Sequence, residues 1–293
     1  RYYEEEDGKM RFRIIGGRRY HNILTSEYFG ANDDEEAYRL SRYHNAIKDI
    51  WGGLFHSPIE EKLKQGAHVI DFGCGTGIWI LDMAKQYPNS KFVGIDLSPI
   101  FPTEDLPSNV EFVQYNVLDV LPYEDASFDF VHQKFLVVAF TETQWEEKVI
   151  PEMIRLARPG GWVELLEADA YLTSDGKATN RIAKALNKFM TAKGMNCTIG
   201  KKLQRILENT NTFSEITSNK KAVVLGKKGG ESGQETLKFY TVGVGSCRGF
   251  LSTEMNIMPE HFDALMETIS IEAEQTTSCF NQYRICGHKK IEI

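Results

Sequence analysis

Two rhythms of apolar residues divide the chain. Between Asp33 and Ile50, Ala37, Leu40, Tyr43, Ile47 and Ile50 recur at helical spacing. The preceding "ANDDEE" supplies capping Asn and Asp residues and an acidic first turn, and Gly52 and Gly53 stop the helix. From residue 68 onward short apolar runs take over: "HVIDF", "KFVGIDLS", "VEFVQYN", "FDFVHQKFL" and "GGWVELLEA" each read as a strand. Helical stretches run from Ile78 to about Tyr87 and over about 142–157. Strand and helix alternating in this way predict a mostly parallel sheet with both faces covered. Between the second and third strands, "SPIFPTEDLPSN" carries three prolines, which leaves room for a loop or a single turn but no full helix.

After Asp169 the texture changes. Helical patterns over 176–193 and 201–209 precede a strand-like "KKAVVLG" and a Gly/Lys-rich loop. Helices around 234–248 and 259–274 follow, and then a last strand, "NQYRICGHKK". Residues 1 to about 35 show no clear period, and "RYYEEEDGKM" reads as a solvated lead-in. These shifts divide the chain into an N-terminal extension with a lid helix (1–60), an α/β core (61–170), and a helical insert with the last strands (171–293).

Composition narrows the class. With 293 residues, 42% hydrophobic and 11% aromatic, the chain suits one large α/β domain or a core domain with an added lobe, and disorder as the main state is not expected. A net charge of −7 argues against general nucleic-acid binding. The five cysteines form no C-x-x-C pair, so neither a zinc site nor a disulfide framework is expected, and no metal is assigned. No apolar run approaches the roughly 18 residues of a membrane span. A reducing, cytoplasmic setting is expected, with the nucleus compatible. The opening Arg1 is that expected of a chain trimmed at its N-terminus.

The chemistry concentrates in "VIDFGCGTGIWI" (69–80), where Asp71, Gly73, Gly75 and Gly77 sit at alternate positions between the first strand and its helix. A glycine-rich turn there is where an open parallel sheet accepts a nucleotide. The dinucleotide fingerprint G-x-G-x-x-G does not fit, and an acid before the first glycine is poorly placed beside a pyrophosphate. It suits a ligand that carries an amino group and no phosphate. Asp96 ends the second strand, where a carboxylate can accept both hydroxyls of a ribose, in nicotinamide enzymes as elsewhere. Asn116 and Val117 end the third strand, placed to face an adenine edge. "LARPGGWVELLE" then joins a helix end to the fifth strand through Pro159-Gly160-Gly161.

These blocks, in this order, resemble class I S-adenosylmethionine-dependent methyltransferases. "RRYHN" (18–22), "YFGANDDEEAYRLSRYHNAI" (28–47), "GGLFHSPI" (52–59), "GIDLSPIFP" (94–102), "FDFVHQKFL" (128–136) and "RPGGWVELLE" (158–167) resemble the fungal LaeA/UMTA-like members in particular. The resemblance implies a Rossmann-like sheet of seven strands, the last antiparallel, with S-adenosyl-L-methionine across the carboxyl ends of the first strands. It places Asp71, Gly73, Gly75 and Gly77 on the methionine and ribose side, Asp96 on the ribose hydroxyls, Leu97 near the adenine, Asn116 and Val117 on the adenine edge, and Gln133 near the methionine. The N-terminal helix would lie over the cofactor, with Arg39 or His44 meeting the methionine carboxylate. His132 and Glu167, at the carboxyl ends of the fourth and fifth strands, are the candidate catalytic groups. The chain departs from its relatives at Cys74 (often Thr), at Tyr115-Asn116 (usually two Asp) and at Lys134 (usually Arg).

The expected function is methyl transfer by in-line displacement to a small-molecule or protein acceptor held between the N-terminal segment and the insert. The alternative is an S-adenosylmethionine-binding regulator of the LaeA type acting within a protein complex. No membrane partner is expected. The cofactor carries the activation, so no universal catalytic residue is required.

Overall fold

The computed structural model describes residues 2–4, 10–15, 17–21 and 32–291. Its first elements are β1 (Tyr2–Glu4), β2 (Met10–Ile15) and β3 (Arg18–His21), which pair antiparallel as a separate small sheet. This corrects the reading of "RYYEEEDGKM" as a solvated lead-in and of the stretch to about residue 35 as without a period. Met10, Phe12 and Ile14 alternate with Arg11 and Arg13, a two-residue period that the flanking polar residues conceal. The Tyr20 side chain is buried, and its hydroxyl donates to the Ser246 carbonyl (2.5 Å).

Helix α1 (Asp34–Trp51) follows and ends at Gly52, whose φ of +70° only glycine adopts freely. After α2 (Glu60–Gln65) the core begins: β4 (His68–Phe72), α3 (Ile78–Gln86), β5 (Lys91–Asp96), β6 (Val110–Gln114) and β7 (Phe128–Lys134). As the prolines required, no helix joins β5 to β6. Next, α4 (Glu142–Gln144) starts on a Thr141 capping box and runs through a π-helical turn (Trp145–Val149) into α5 (Ile150–Leu156) and β8 (Ala157–Ala168). The insert comprises β9 (Thr173–Ser174), α6 (Lys177–Ala192), α7 (Gly200–Asn209), β10 (Phe213–Val224), α8 (Gly230–Ser246), α9 (Arg248–Met255) and α10 (Pro259–Gln275), and β11 (Ser278–Lys289) closes the chain.

The main sheet runs β10-β11-β8-β7-β4-β5-β6, with β9 on the side of β11. Pairs from β6 to β8 are parallel, and β11 is antiparallel to both neighbours, as expected. Strand periodicity sorts the core. Val69, Phe92 and Phe130 pack with Trp79, Ile80 and Met83 of α3 on one face. Ile70, Phe72, Ile95 and Val131 pack with Ile150 and Met153 on the other. Strand order reverses between β4 and β7, and the loops leaving their carboxyl ends open a crevice there. Among the described residues, no helix is long and apolar enough to cross a membrane.

Candidate functional site

The loop after β4 is built as a cradle. The Cys74 amide donates to the Ile95 carbonyl (2.9 Å) and the Gly75 amide to Asp96 Oδ2 (2.7 Å), which ties the loop to β5. Asp96 Oδ1 accepts from the Ser98 amide (2.8 Å). Burial nevertheless pushes this carboxyl up to about 6 against those bonds. Two of the glycines do different work. At Gly75 a Cβ would meet only Leu40 Cδ1, at 3.6 Å, and the backbone demand is its φ of +56°. At Gly77, which starts α3, a Cβ would fall 2.3 Å from Phe112 Cζ, so the helix and β6 can approach only because no side chain intervenes.

Above this cradle lies a cavity. Its floor is formed by Gly73, Cys74, Gly75, Thr76, Asp96, Leu97, Asn116, Val117 and Leu118, and its roof by Leu40, Tyr43, His44 and Ile47 of α1. Lys134, Phe135 and Leu136, after β7, close one side. Phe135 sits at φ +56°, in the left-handed region that non-glycine residues rarely adopt, with its amide donating to the Leu166 carbonyl (2.9 Å). Tyr43 stacks between Phe239 (3.7 Å) and Phe135 (5.7 Å). Asn32 also lines the space, and its amide nitrogen donates to Ser98 Oγ (3.3 Å).

One charged pair stands out. Lys134 Nζ lies 3.3 Å from His44 Nδ1, and His44 Nε2 lies 3.1 Å from Asp82 Oδ2. Burial first, and then the Lys134 charge, lower His44 to about 4, so the ring is neutral at pH 7. A carboxylate only accepts, so Nε2 carries the proton and Nδ1 accepts from Lys134. Burial lowers Lys134 itself to about 8. From sequence Lys134 stood out only as a departure from relatives, Tyr43 only as an apolar position of the N-terminal helix and Asn32 only as a capping residue.

Of the residues anticipated from sequence, Gly73, Gly75, Asp96, Leu97, Asn116, Val117 and His44 line this cavity. The Asn116 carbonyl already accepts from the Leu118 amide (3.0 Å), leaving one lone pair free. The others lie elsewhere. Asp71 is 2% exposed and accepts from His132 Nδ1 (2.7 Å), while the His132 ring stacks on Trp79 at 3.8 Å. His132, a candidate catalytic group, is thus sealed beneath the loop rather than at its mouth. Glu167, the other candidate, is equally sealed: its Oε1 accepts from the Leu136 amide (2.5 Å) and from Gln133 Nε2, and burial raises the carboxyl to about 8. Glu167 and Gln133 therefore brace the 134–136 turn from behind. Gly77 serves packing against Phe112. Arg39 faces a neighbouring space, its guanidinium 3.9 Å above the Phe239 ring.

Residues 69–161, from β4 into β8, match the methyltransferase-domain family. The chain is similar to methyltransferase str3 of Strobilurus tenacellus, 31% identical over 191 residues, covering 64% of this chain and 66% of that protein. It is also similar to the secondary metabolism regulator laeA of Coprinopsis cinerea, 32% identical over 160 residues, covering 53% of this chain and 39% of that one. The chain thus spans just under two thirds of the first relative and well under half of the second. Among solved structures, a Haemonchus contortus phosphoethanolamine N-methyltransferase 2 shares the fold, with a TM-score of 0.50 at 15% identity over 93% of this chain and 62% of that one. The methyltransferase-domain match thus covers the stretch from β4 into β8 that builds the floor of the cavity. The chain is similar both to fungal methyltransferases and to fungal regulators of the laeA type.

Proposed function

We propose that this chain holds S-adenosylmethionine in the cavity above β4–β6 and transfers its methyl group to an acceptor brought in beside α1. The observation that carries this reading is one cavity with a carboxylate on its floor and an ammonium on its wall, Asp96 and Lys134, each depleted of stronger partners. Asp96 keeps lone pairs for the two ribose hydroxyls beyond the Gly75 and Ser98 amides. Lys134 supplies the positive charge that a methionine carboxylate requires, with neutral His44 holding its Nζ in place. Asn116 and Val117 border the adenine end, and Leu97 lies beside it. The sulfonium supplies the activated methyl group when bound. The residues around it orient the donor and exclude water, and no side chain has to take part in bond breaking.

The similarity to a regulator supports a second use of the same site, cofactor binding within a complex, but the cavity by itself does not favour it. Calorimetric titration with S-adenosylmethionine, S-adenosylhomocysteine and NAD tests the reading. The first two should bind, and an NAD Kd tighter than that of S-adenosylmethionine overturns it. Incubation with methyl-labelled cofactor and cell extract should then label a product. Tight binding with persistent silence instead favours the regulator.

A further inference from the structure

Next to the proposed cofactor cavity, sharing Leu40, Tyr43 and Phe135 with it, lies a second cavity of about 180 Å³. Its walls are mainly apolar, with Leu186, Val244, Phe239 and Phe280 contributed by the insert and by β11. Two polar groups in this lining lack partners. Asp169, just past the end of β8, is 6% exposed; its Oδ2 accepts from Asn281 Nδ2 (3.1 Å), and its Oδ1 has no hydrogen-bond partner. The Tyr240 hydroxyl on α8 is likewise buried and unpartnered. The backbone holds Asp169 in place, since its amide donates to the Asn281 carbonyl (2.8 Å). The Tyr283 hydroxyl, raised to about 12 by burial first and then by the neighbouring Asp169 carboxylate, stands beside that carboxylate without closing a hydrogen bond of normal geometry.

Buried polar groups normally find partners, and two orphans aimed into one apolar space mark where a ligand supplies them. Size limits the ligand, because a dry cavity of roughly 150 Å³ already admits benzene. The space here is that of one or two fused rings. Charge is balanced there, since Arg39 lines the same space as Asp169 and leaves no net charge to draw in a cationic side chain.

We propose that this space, on the reading that the neighbouring cavity holds the methyl donor, is the acceptor pocket, and that it takes a compact aromatic molecule bearing a hydroxyl. The hydroxyl donates to Asp169 Oδ1. The Tyr240 hydroxyl donates to an oxygen or ring face of the same ligand. Leu40, Tyr43 and Phe135 line both spaces, where donor and acceptor adjoin.

Fluorescence titration with 2-naphthol and naphthalene tests this without turnover, on the full chain with and without S-adenosylhomocysteine. 2-Naphthol should bind at least ten-fold more tightly than naphthalene. Asp169→Asn should cut that ratio to under three-fold, and Tyr240→Phe, which keeps the ring, should weaken 2-naphthol about three-fold while leaving naphthalene unchanged. Val138→Phe, which fills the lining, should abolish binding of both probes while the S-adenosylhomocysteine Kd stays within two-fold. Equal affinity for the two probes overturns the proposal, as does a ratio that survives both Asp169→Asn and Tyr240→Phe. Displacement of 2-naphthol by a lysine-bearing peptide also overturns it. Failure of S-adenosylhomocysteine to bind the native chain instead sinks the cofactor reading, and the naphthol ratio in cofactor-free protein still decides the pocket.

Discussion

Lys134 Nζ points at His44 Nδ1 from 3.3 Å, so this ammonium rests on a neutral ring instead of a carboxylate. A partly buried ammonium whose hydrogen-bond partner is a neutral ring is poised to gain from an anionic ligand. Lys134→Met should therefore weaken S-adenosylmethionine binding by about 1.5–3 kcal/mol, the range for hydrogen bonds to charged groups. Isothermal calorimetry reads this directly, and an unchanged Kd removes Lys134 from the carboxylate.

The same two cavity groups set a pH window. Lys134, lowered to about 8, loses its proton as pH rises through that value, and the ligand carboxylate then loses its partner. Asp96, raised to about 6, takes up a proton as pH falls through that value and can no longer accept from both ribose hydroxyls. Affinity should be greatest between about 6 and 8 and decline on both sides. Lys134→Met should erase the alkaline limb and Asp96→Asn the acid limb. A profile identical in the variants and the native protein would refute the assignment.

Glu167 controls stability rather than binding. Its folded-state carboxyl is raised to about 8 from an ordinary 4.5, so the folded protein holds the proton more tightly than the unfolded chain does. That contribution is fully present below about 4.5 and is lost as pH rises through about 8. Native urea midpoints should fall between pH 5 and 9, with Glu167 accounting for about 2–4 kcal/mol of the loss. Glu167→Gln should flatten the slope. A slope unchanged by that substitution would show that the proton is held elsewhere.

Two glycines of one loop should part company. Gly77→Ala drives a methyl group into the Phe112 ring and should cost about 2–4 kcal/mol of stability through overpacking and left-handed strain. Gly75→Ala meets only Leu40 Cδ1 at ordinary contact distance (3.6 Å) and should cost only about 1–2 kcal/mol, the left-handed term alone, while obstructing the cavity. Thermal melts and S-adenosylhomocysteine titrations of both variants should rank them oppositely.

Much of the sheet was legible because β4, β5 and β7 are short apolar runs flanked by Gly, Pro and charged residues. The loop after β4 and the acid ending β5 were legible because their spacing leaves few alternatives. Side-chain direction was not. Asp71 and His132 sit opposite each other in the β4–β7 register, and period-2 geometry turns both to the α3 side of the sheet, where His132 stacks on Trp79 and neither lines the cavity. Glu167 is covered by Gln133 and the 134–136 turn, a contact between residues that the sequence separates by 34 positions. β10 extends over Phe213–Val224, well beyond the "KKAVVLG" that suggested it, because most of its residues are exposed and carry no alternation. The helix expected over about 234–248 is α8, and α9, which follows it directly after Cys247, was not anticipated.

The Tyr43 ring, pressed between Phe239 and Phe135, belongs to both cavities at once. A molecule settling in one of them fixes the partition that the other must fit. The two occupants are thus thermodynamically linked, and whatever factor the first imposes on the affinity of the second, the second returns to the first. Order of addition cannot alter that factor, so the aromatic partition makes the donor's affinity a report on the acceptor's presence.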